Sequence, residues 1–84
     1  MRYSLIFELA ATEIIVALPE IPHELFTLGC FDIADNPYGQ GGVPEETADS
    51  VTRRAWAVGD MGLIEYEIDE KVRAVTIISV TYVL

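Results

Sequence analysis

Chemistry on a phosphate group requires cations, and this sequence offers few of them. Only five of its 84 residues are Lys or Arg, against fourteen Asp or Glu, which gives a formal charge of -9. Arg53 and Arg54 are adjacent in a predicted strand, so their side chains point to opposite faces and cannot hold one phosphate together. With Arg73 and Tyr82, these two arginines are the candidates for contact with a phosphate or with a partner's carboxylate.

The other chemistry-bearing side chains favour structural roles over catalysis. Glu65 and Glu67 share one face of a predicted strand, where a solvated surface is commoner than acid–base chemistry. The only histidine, His23, has no second metal ligand near it in sequence, so we expect neither a metal nor a cofactor. Cys30 lies in an apolar helical stretch, which predicts a buried small side chain and not a nucleophile. The glycine-rich residues 37–42 match neither the P-loop nor the dinucleotide-binding spacing.

The composition predicts a single domain, residues 1–84, in the cytoplasm. Half of the residues (51%) are hydrophobic, and a chain of this length can close only one core. A single cysteine cannot form an internal disulfide. No apolar run approaches the ~20 residues that span a bilayer, so no membrane association is expected. Nucleic acid is disfavoured as a direct ligand, because proteins that bind a phosphate backbone present clustered Lys and Arg.

The first half of the sequence predicts a strand and two helices. Alternating apolar residues favour a strand over 2–7, and apolar stripes favour helices over 10–18 and 22–34. A proline follows each helix, where it stops helical hydrogen bonding. Residues 36–50 contain several prolines, glycines and acids and predict one long loop.

The second half predicts three antiparallel strands over 51–58, 63–68 and 72–83, joined by two tight turns. The last strand has apolar residues on both faces, which predicts a central position in the sheet. The predicted fold class is therefore α+β: a strand, a helical hairpin and a three-stranded meander, giving a four-stranded sheet with two helices on one face.

The second predicted helix is apolar on two sides. One line consists of Ile21, Leu25 and Leu28, and the other of Phe26, Cys30 and Ile33. One line should face the sheet, and the other the first helix or a partner. The partner-interface candidates are Phe26, Cys30, Ile33, Tyr38 and Trp56. Gly29 in mid-helix indicates either close backbone packing or a weak point, since glycine costs about 1 kcal/mol relative to alanine there.

Three segments carry a family resemblance. Residues 33–39 (IADNPYG) are similar to a helix end of the form L-A-D-x-P, and residues 53–60 (RRAWAVGD) to a strand with alternating arginines before V-G-D. Residues 63–72 (LIEYEIDEKV) are similar to an R-V-x-Y-x-I-D-E-x-V hairpin. On these segments and on element order, the chain resembles the RelE/ParE toxin superfamily of toxin–antitoxin modules.

The resemblance implies ribosome-dependent mRNA cleavage or inhibition of DNA gyrase, but the sequence departs from the family pattern. Catalytic members carry cations on the concave face of the sheet and in a carboxy-terminal tail. Here Gly62 or Leu63 stands where an arginine is expected, and the sequence ends at Leu84 without that tail.

We therefore expect a degenerate, noncatalytic member that acts through protein contacts. Its partner would be an antitoxin-like or basic protein, or a second copy of the chain. An active type II toxin is the alternative, and a small structural protein of no toxin lineage is a third possibility.

Overall fold

The computed structural model describes residues 2–40, 45–48 and 51–83. In chain order its elements are β1 (Ser4–Phe7), α1 (Leu9–Ala17), α2 (Glu20–Asp35), β2 (Glu45–Ala48), β3 (Val51–Val58), β4 (Gly62–Asp69) and β5 (Ala74–Tyr82). The predicted α+β class is confirmed, with a strand, then two helices, then the meander. The boundaries differ from prediction by about two residues, as helix and strand ends commonly do.

The strands form one mixed sheet in the order β1-β5-β4-β3-β2. β1 pairs with β5 in parallel, whereas the other neighbours pair antiparallel. β2 is a correction to the prediction, because it lies within the stretch expected to be a loop. Its sequence, Glu-Glu-Thr-Ala, has little intrinsic strand preference, and its conformation comes from pairing with β3. Residues 41–44 and 49–50 of the predicted loop lie outside the described residues.

β5 lies between β1 and β4, which confirms its predicted central position. A bulge in the β4–β5 pairing leaves Ile78 of β5 without a directly opposite residue. Val75 and Ile77 before the bulge are buried, and so is Val80 after it. The bulge thus moves the buried positions from odd to even numbers, and this shift explains the apolar residues on both apparent faces of the strand.

Both helices contribute to one core that covers a single face of the sheet. The buried cluster contains Tyr3, Ala11, Ile15, Phe26, Cys30, Ile33, Ile64, Tyr66, Ile68, Val75, Ile77 and Val80. α2 ends at Asp35 because Pro37 disfavours helical dihedrals at Asn36, whose φ and ψ are -152° and 82°.

The burial of α2 corrects three of the predicted interface residues. Phe26, Cys30 and Ile33 are at most 1% exposed, so they pack on the sheet and are not available to a partner. The opposite line of Ile21, Leu25 and Leu28 is 64%, 40% and 54% exposed. Periodicity revealed two apolar lines but could not say which one faced the sheet.

Gly29 lies where α2 packs against β3 and β4. A Cβ built on this glycine would lie 3.1 Å from Ile64 Cδ1 and 3.5 Å from Val58 Cγ2. Close packing is therefore the reason for a glycine in mid-helix.

Candidate functional site

The open face of the sheet, which the helices leave uncovered, carries alternate side chains of β3 and β4. Arg53 projects from β3, and Glu65 and Glu67 project from β4. Arg53 Nη2 lies 2.8 Å from Glu67 Oε2, and the Ser79 hydroxyl donates to Glu65 Oε1 at 3.2 Å. The register of the strands sets these contacts, because Arg53 is directly opposite Glu67. This face therefore presents carboxylates beside an arginine that is already ion-paired.

The Glu70 cluster lies at one end of the sheet, where the start of β1, the end of α2 and the β4–β5 turn meet. It consists of Tyr3, Tyr38, Arg54, Glu70 and Arg73. The hydroxyls of Tyr3 and Tyr38 both donate to the Glu70 carboxylate. The Arg73 guanidinium carbon lies 4.3 Å from the centre of the Tyr3 ring, and that of Arg54 lies 5.3 Å from the centre of the Tyr38 ring.

The protonation states in this cluster reinforce one another. The hydrogen bond from Tyr38 lowers the pKa of Glu70 below its ordinary value. Burial and the same hydrogen bond raise the pKa of Tyr38 to about 12, and burial raises the pKa of Tyr3. At neutral pH a charged carboxylate thus accepts from two protonated phenols. The arrangement is suited to holding three segments together and not to generating a tyrosinate nucleophile.

A third region, the hairpin groove, runs between α2 and the β3–β4 hairpin and has a volume of about 510 Å³. Its lining residues are Leu25, Leu28, Gly29, Asp32, Trp56, Ala57, Val58, Gly59, Asp60 and Met61. The exposed line of α2 supplies one wall, and Trp56 and Met61 contribute to the other. The only charged side chains among these lining residues are two carboxylates, Asp32 and Asp60.

Two solved structures share this architecture. A chain of the archaeal RelE-RelB complex from Pyrococcus horikoshii OT3 superposes with a TM-score of 0.81 at 14% identity, covering 98% of this chain and 96% of that one. A chain of the intact E. coli RelBE toxin-antitoxin complex gives a TM-score of 0.71 at 15% identity, covering 98% of both. The fold is that of RelE-like toxins. No protein-family model and no curated protein matches the sequence, so the likeness extends to the fold alone.

On this RelE-like fold, the predicted phosphate or partner contacts do not form one site. Arg54 and Arg73 meet in the Glu70 cluster, while Arg53 lies on the open face. Tyr82 lies at the far end of the sheet, with its ring edge-on to Phe26 at 6.2 Å between centroids. Contact of these residues with a phosphate or a partner stays a prediction. Arg54 and Arg73 belong to the cluster around Glu70, a residue that no pattern in the sequence marks as important.

The other side chains considered for chemistry, Cys30, His23 and Trp56, make contacts that support the fold. Burial raises the pKa of the Cys30 thiol to about 11, which keeps it protonated at neutral pH. His23 Nδ1 lies 2.8 Å from the Ile15 carbonyl oxygen, to which it donates. Trp56 is half-buried against the core and lines the hairpin groove.

Within the described ranges, no three His, Cys, Asp or Glu side chains are grouped as a metal site would require. The helices of the same ranges include none long and apolar enough to cross a membrane.

Proposed function

We propose that this chain is a RelE-like protein that does not cleave RNA and acts in the cytoplasm by binding a basic protein partner. The observation that carries the proposal is the charge of the open face. Glu65 and Glu67 project from its central strand, and Glu67 already pairs with Arg53 at 2.8 Å.

Cleavage of RNA makes demands that this face meets poorly. The reaction needs a base for the attacking 2'-hydroxyl, an acid for the leaving oxygen and positive charge on the phosphate. A phosphate placed beside Arg53 would compete with Glu67 and meet the charge of Glu65 nearby. Like charge at this separation opposes binding and would oppose the further negative charge of the transition state.

The hairpin groove is the surface that supports a protein partner. Its apolar lining from Leu28, Trp56 and Met61 suits the apolar side of a short amphipathic segment, and Asp32 and Asp60 suit Lys or Arg at its flanks. The two structures with the same fold are both toxin–antitoxin complexes, each with a protein partner. Burial of the partner's apolar side chains would provide affinity, and its basic side chains beside the two carboxylates would fix its orientation in the groove.

Induced expression in a bacterial host tests the absence of toxicity. We expect normal growth with the chain present in the soluble fraction, whereas the toxin of the E. coli RelBE complex, as a positive control, should arrest growth. Growth arrest by this chain, together with cleaved mRNA, would overturn the proposal and establish the active toxin instead.

Binding to the groove can be followed with the protein's own fluorescence, because Trp56 is the only tryptophan. The chain is titrated with an amphipathic helical peptide of leucine and lysine, and with its glutamate counterpart. We expect a Trp56 emission shift with the lysine peptide alone, and its loss in Leu28→Asp. Val72→Asp is the matched control, since Val72 is 68% exposed in the β4–β5 turn and remote from the groove lining.

Equal response to the two peptides, or an unchanged response in Leu28→Asp, would contradict the groove assignment. Co-expression with the product of the adjoining gene, followed by sizing, then tests a natural partner. A strict monomer that captures nothing would count against partner binding as the function.

A further inference from the structure

The edge of the sheet formed by β1 has backbone groups directed outward. The Ser4 amide donates to the carbonyl of Arg73, just before β5, at 2.9 Å, and the Glu8 amide donates to the carbonyl of Ile77 in β5 at 3.0 Å. In a parallel ladder, alternate residues bond to the same neighbour. The N–H and C=O groups of Leu5 and Phe7 therefore point away from β5, and in the described part of the sheet β1 has no other neighbouring strand that could pair with them.

Among the residues that the structure describes, only the start of this edge is covered by the chain itself. The Tyr3 amide donates to the carbonyl of Ala34, the penultimate residue of α2, at 2.8 Å. From Leu5 onward the strand continues past this contact. An edge with free donors and acceptors is a template for pairing with another strand.

The surface beside the middle of this edge, on the side of the helices, is apolar. Phe7, Val16 and Phe31 are 41%, 71% and 45% exposed and line a pocket of about 330 Å³ between α1 and α2. Ile6, 49% exposed, lies on the opposite side of the strand. The described residues that line the pocket include no Asp or Glu. In a protein of charge -9, such a surface allows two copies to meet with little like-charge repulsion.

The strand is complementary to a second copy of itself in one antiparallel register. When Leu5 lies opposite Phe7 of the second copy, all of the outward groups pair, and a two-fold axis passes between the two Ile6 side chains. The same register places Glu8 opposite Ser4 of the second copy. Arg2 is next along that face, and it reaches Asp35 at 2.8 Å in the single chain. The acid at the strand end thus faces a hydroxyl, with the Arg2–Asp35 ion pair next along that face.

We propose that the chain forms a homodimer by antiparallel pairing of β1 with β1 of a second copy, which joins the two sheets into one. The two-fold axis is perpendicular to the sheet and keeps both helix layers on the same side. Val16 and Phe31 of each copy then flank the seam. This interface is separate from the hairpin groove and does not depend on the proposed function.

Ile6→Lys is the variant that tests the dimer. Two lysines would face each other at the axis, and like charges directly opposite one another destabilise strand pairing. By sedimentation over a wide concentration range, we expect reversible dimerisation of the wild type and a dissociation constant at least about tenfold higher in Ile6→Lys. Ile21→Lys is the control, because Ile21 is 64% exposed on α2, away from β1.

A wild type that is monomeric at every concentration would overturn the proposal. A dimer weakened by Ile21→Lys but not by Ile6→Lys would overturn it as well, and would assign the interface to α2.

A backbone modification separates pairing from any change of side chain. Chemical ligation at the Gly29–Cys30 bond gives access to the chain with N-methyl Phe7, which lacks only the outward N–H. We expect its dissociation constant to rise at least about tenfold, with thermal unfolding of the dilute monomer unchanged. N-methyl Ile6 lacks a donor directed at β5 and should instead destabilise the monomer. If N-methyl Phe7 dimerises as the wild type does, β1 pairing is wrong.

Discussion

The two edges of the sheet deal with unpaired backbone groups in different ways. On the β3 side, β2 covers one end of the strand, and the Gln40 side chain covers the other. Its carboxamide accepts from the Ala57 amide at 2.7 Å and donates to the Ala57 carbonyl at 2.9 Å, as a neighbouring strand would. On the β1 side, the described residues cover only Tyr3. The difference indicates that one side chain can close part of an edge in this fold, and that no described residue closes the β1 edge beyond Tyr3 in this way.

The covered edge depends on a short segment after α2 that the core holds in place. The buried Tyr66 hydroxyl donates to the Pro37 carbonyl at 2.6 Å, and the Gly39 amide donates to the Asn36 carbonyl at 3.0 Å. These bonds fix the backbone from which Gln40 reaches Ala57. A core residue thus positions a surface residue that protects the sheet.

The largest expected effect comes from the strand pair between the two edges. In Gly62→Ala the new Cβ would lie 1.9 Å from the Thr81 carbonyl oxygen, so β4 and β5 would have to separate. We expect a loss of about 3 kcal/mol or more in the free energy of unfolding, by urea denaturation, because backbone cannot yield as a flexible side chain can. Both edges depend on the β4–β5 pair. Its separation should therefore destabilise both edges together, and the difference between the covered and the open edge should be lost.

Gly59→Ala is the matched control for that substitution. Gly59 has a φ of +55°, and no atom of the described residues would lie within 4 Å of a Cβ added there. Only the left-handed backbone strain of about 1 to 2 kcal/mol should remain. Equal losses in the two variants would mean that conformation, and not contact with Thr81, makes Gly62 necessary.

Tyr66→Phe should break the covered edge from inside the core. It removes the donor to the Pro37 carbonyl and leaves that buried group without the partner it has now. We expect a loss of about 1 to 3 kcal/mol in the free energy of unfolding, since an unsatisfied buried acceptor bears its full desolvation penalty. Hydrogen exchange at the Ala57 amide should also accelerate. A stability loss with no change at Ala57 would contradict the link between Tyr66 and Gln40.

A feature of the fold or of the candidate site could be predicted from the sequence when the residues that determine it are close together along the chain. Element order was predictable because apolar periodicity and prolines act within a few residues. β2 was missed because residues 45–48 become a strand only by pairing with β3. The Glu70 cluster was also missed, since its Tyr3–Glu70 hydrogen bond joins residues 67 positions apart. The cap on Ala57 joins positions 17 apart, and a lone glutamine gives no local indication of such a role.

Gln40→Ala should open the covered edge at Ala57 with a smaller loss of stability than Tyr66→Phe causes. Two solvent-exposed hydrogen bonds to Ala57 are lost, and water can replace both. We expect a loss of about 1 kcal/mol in the free energy of unfolding and faster exchange of the Ala57 amide. The Val58 amide is the internal control, because the next residue in an antiparallel strand points the other way. Equal acceleration at both amides would indicate general fraying of β3 and not the loss of a cap.

The smallest expected effect concerns Glu70, which links the two edges by accepting from Tyr3, directly before β1, and from Tyr38, two residues before Gln40. Its pKa is lowered in the folded chain, so as pH falls below about 4.5 the unfolded chain takes up the proton first. The stability that Glu70 contributes is therefore present above that pH and lost as pH falls through the folded pKa. In Glu70→Gln this contribution is absent, so urea denaturation should give a stability difference from wild type that narrows on acidification.

Glu24→Gln is the control, because it removes the same charge from the exposed side of α2 and so separates the effect of the tyrosine contacts from that of net charge. A difference that stays constant from neutral to acid pH would mean that the charge of Glu70 does not hold the edges together.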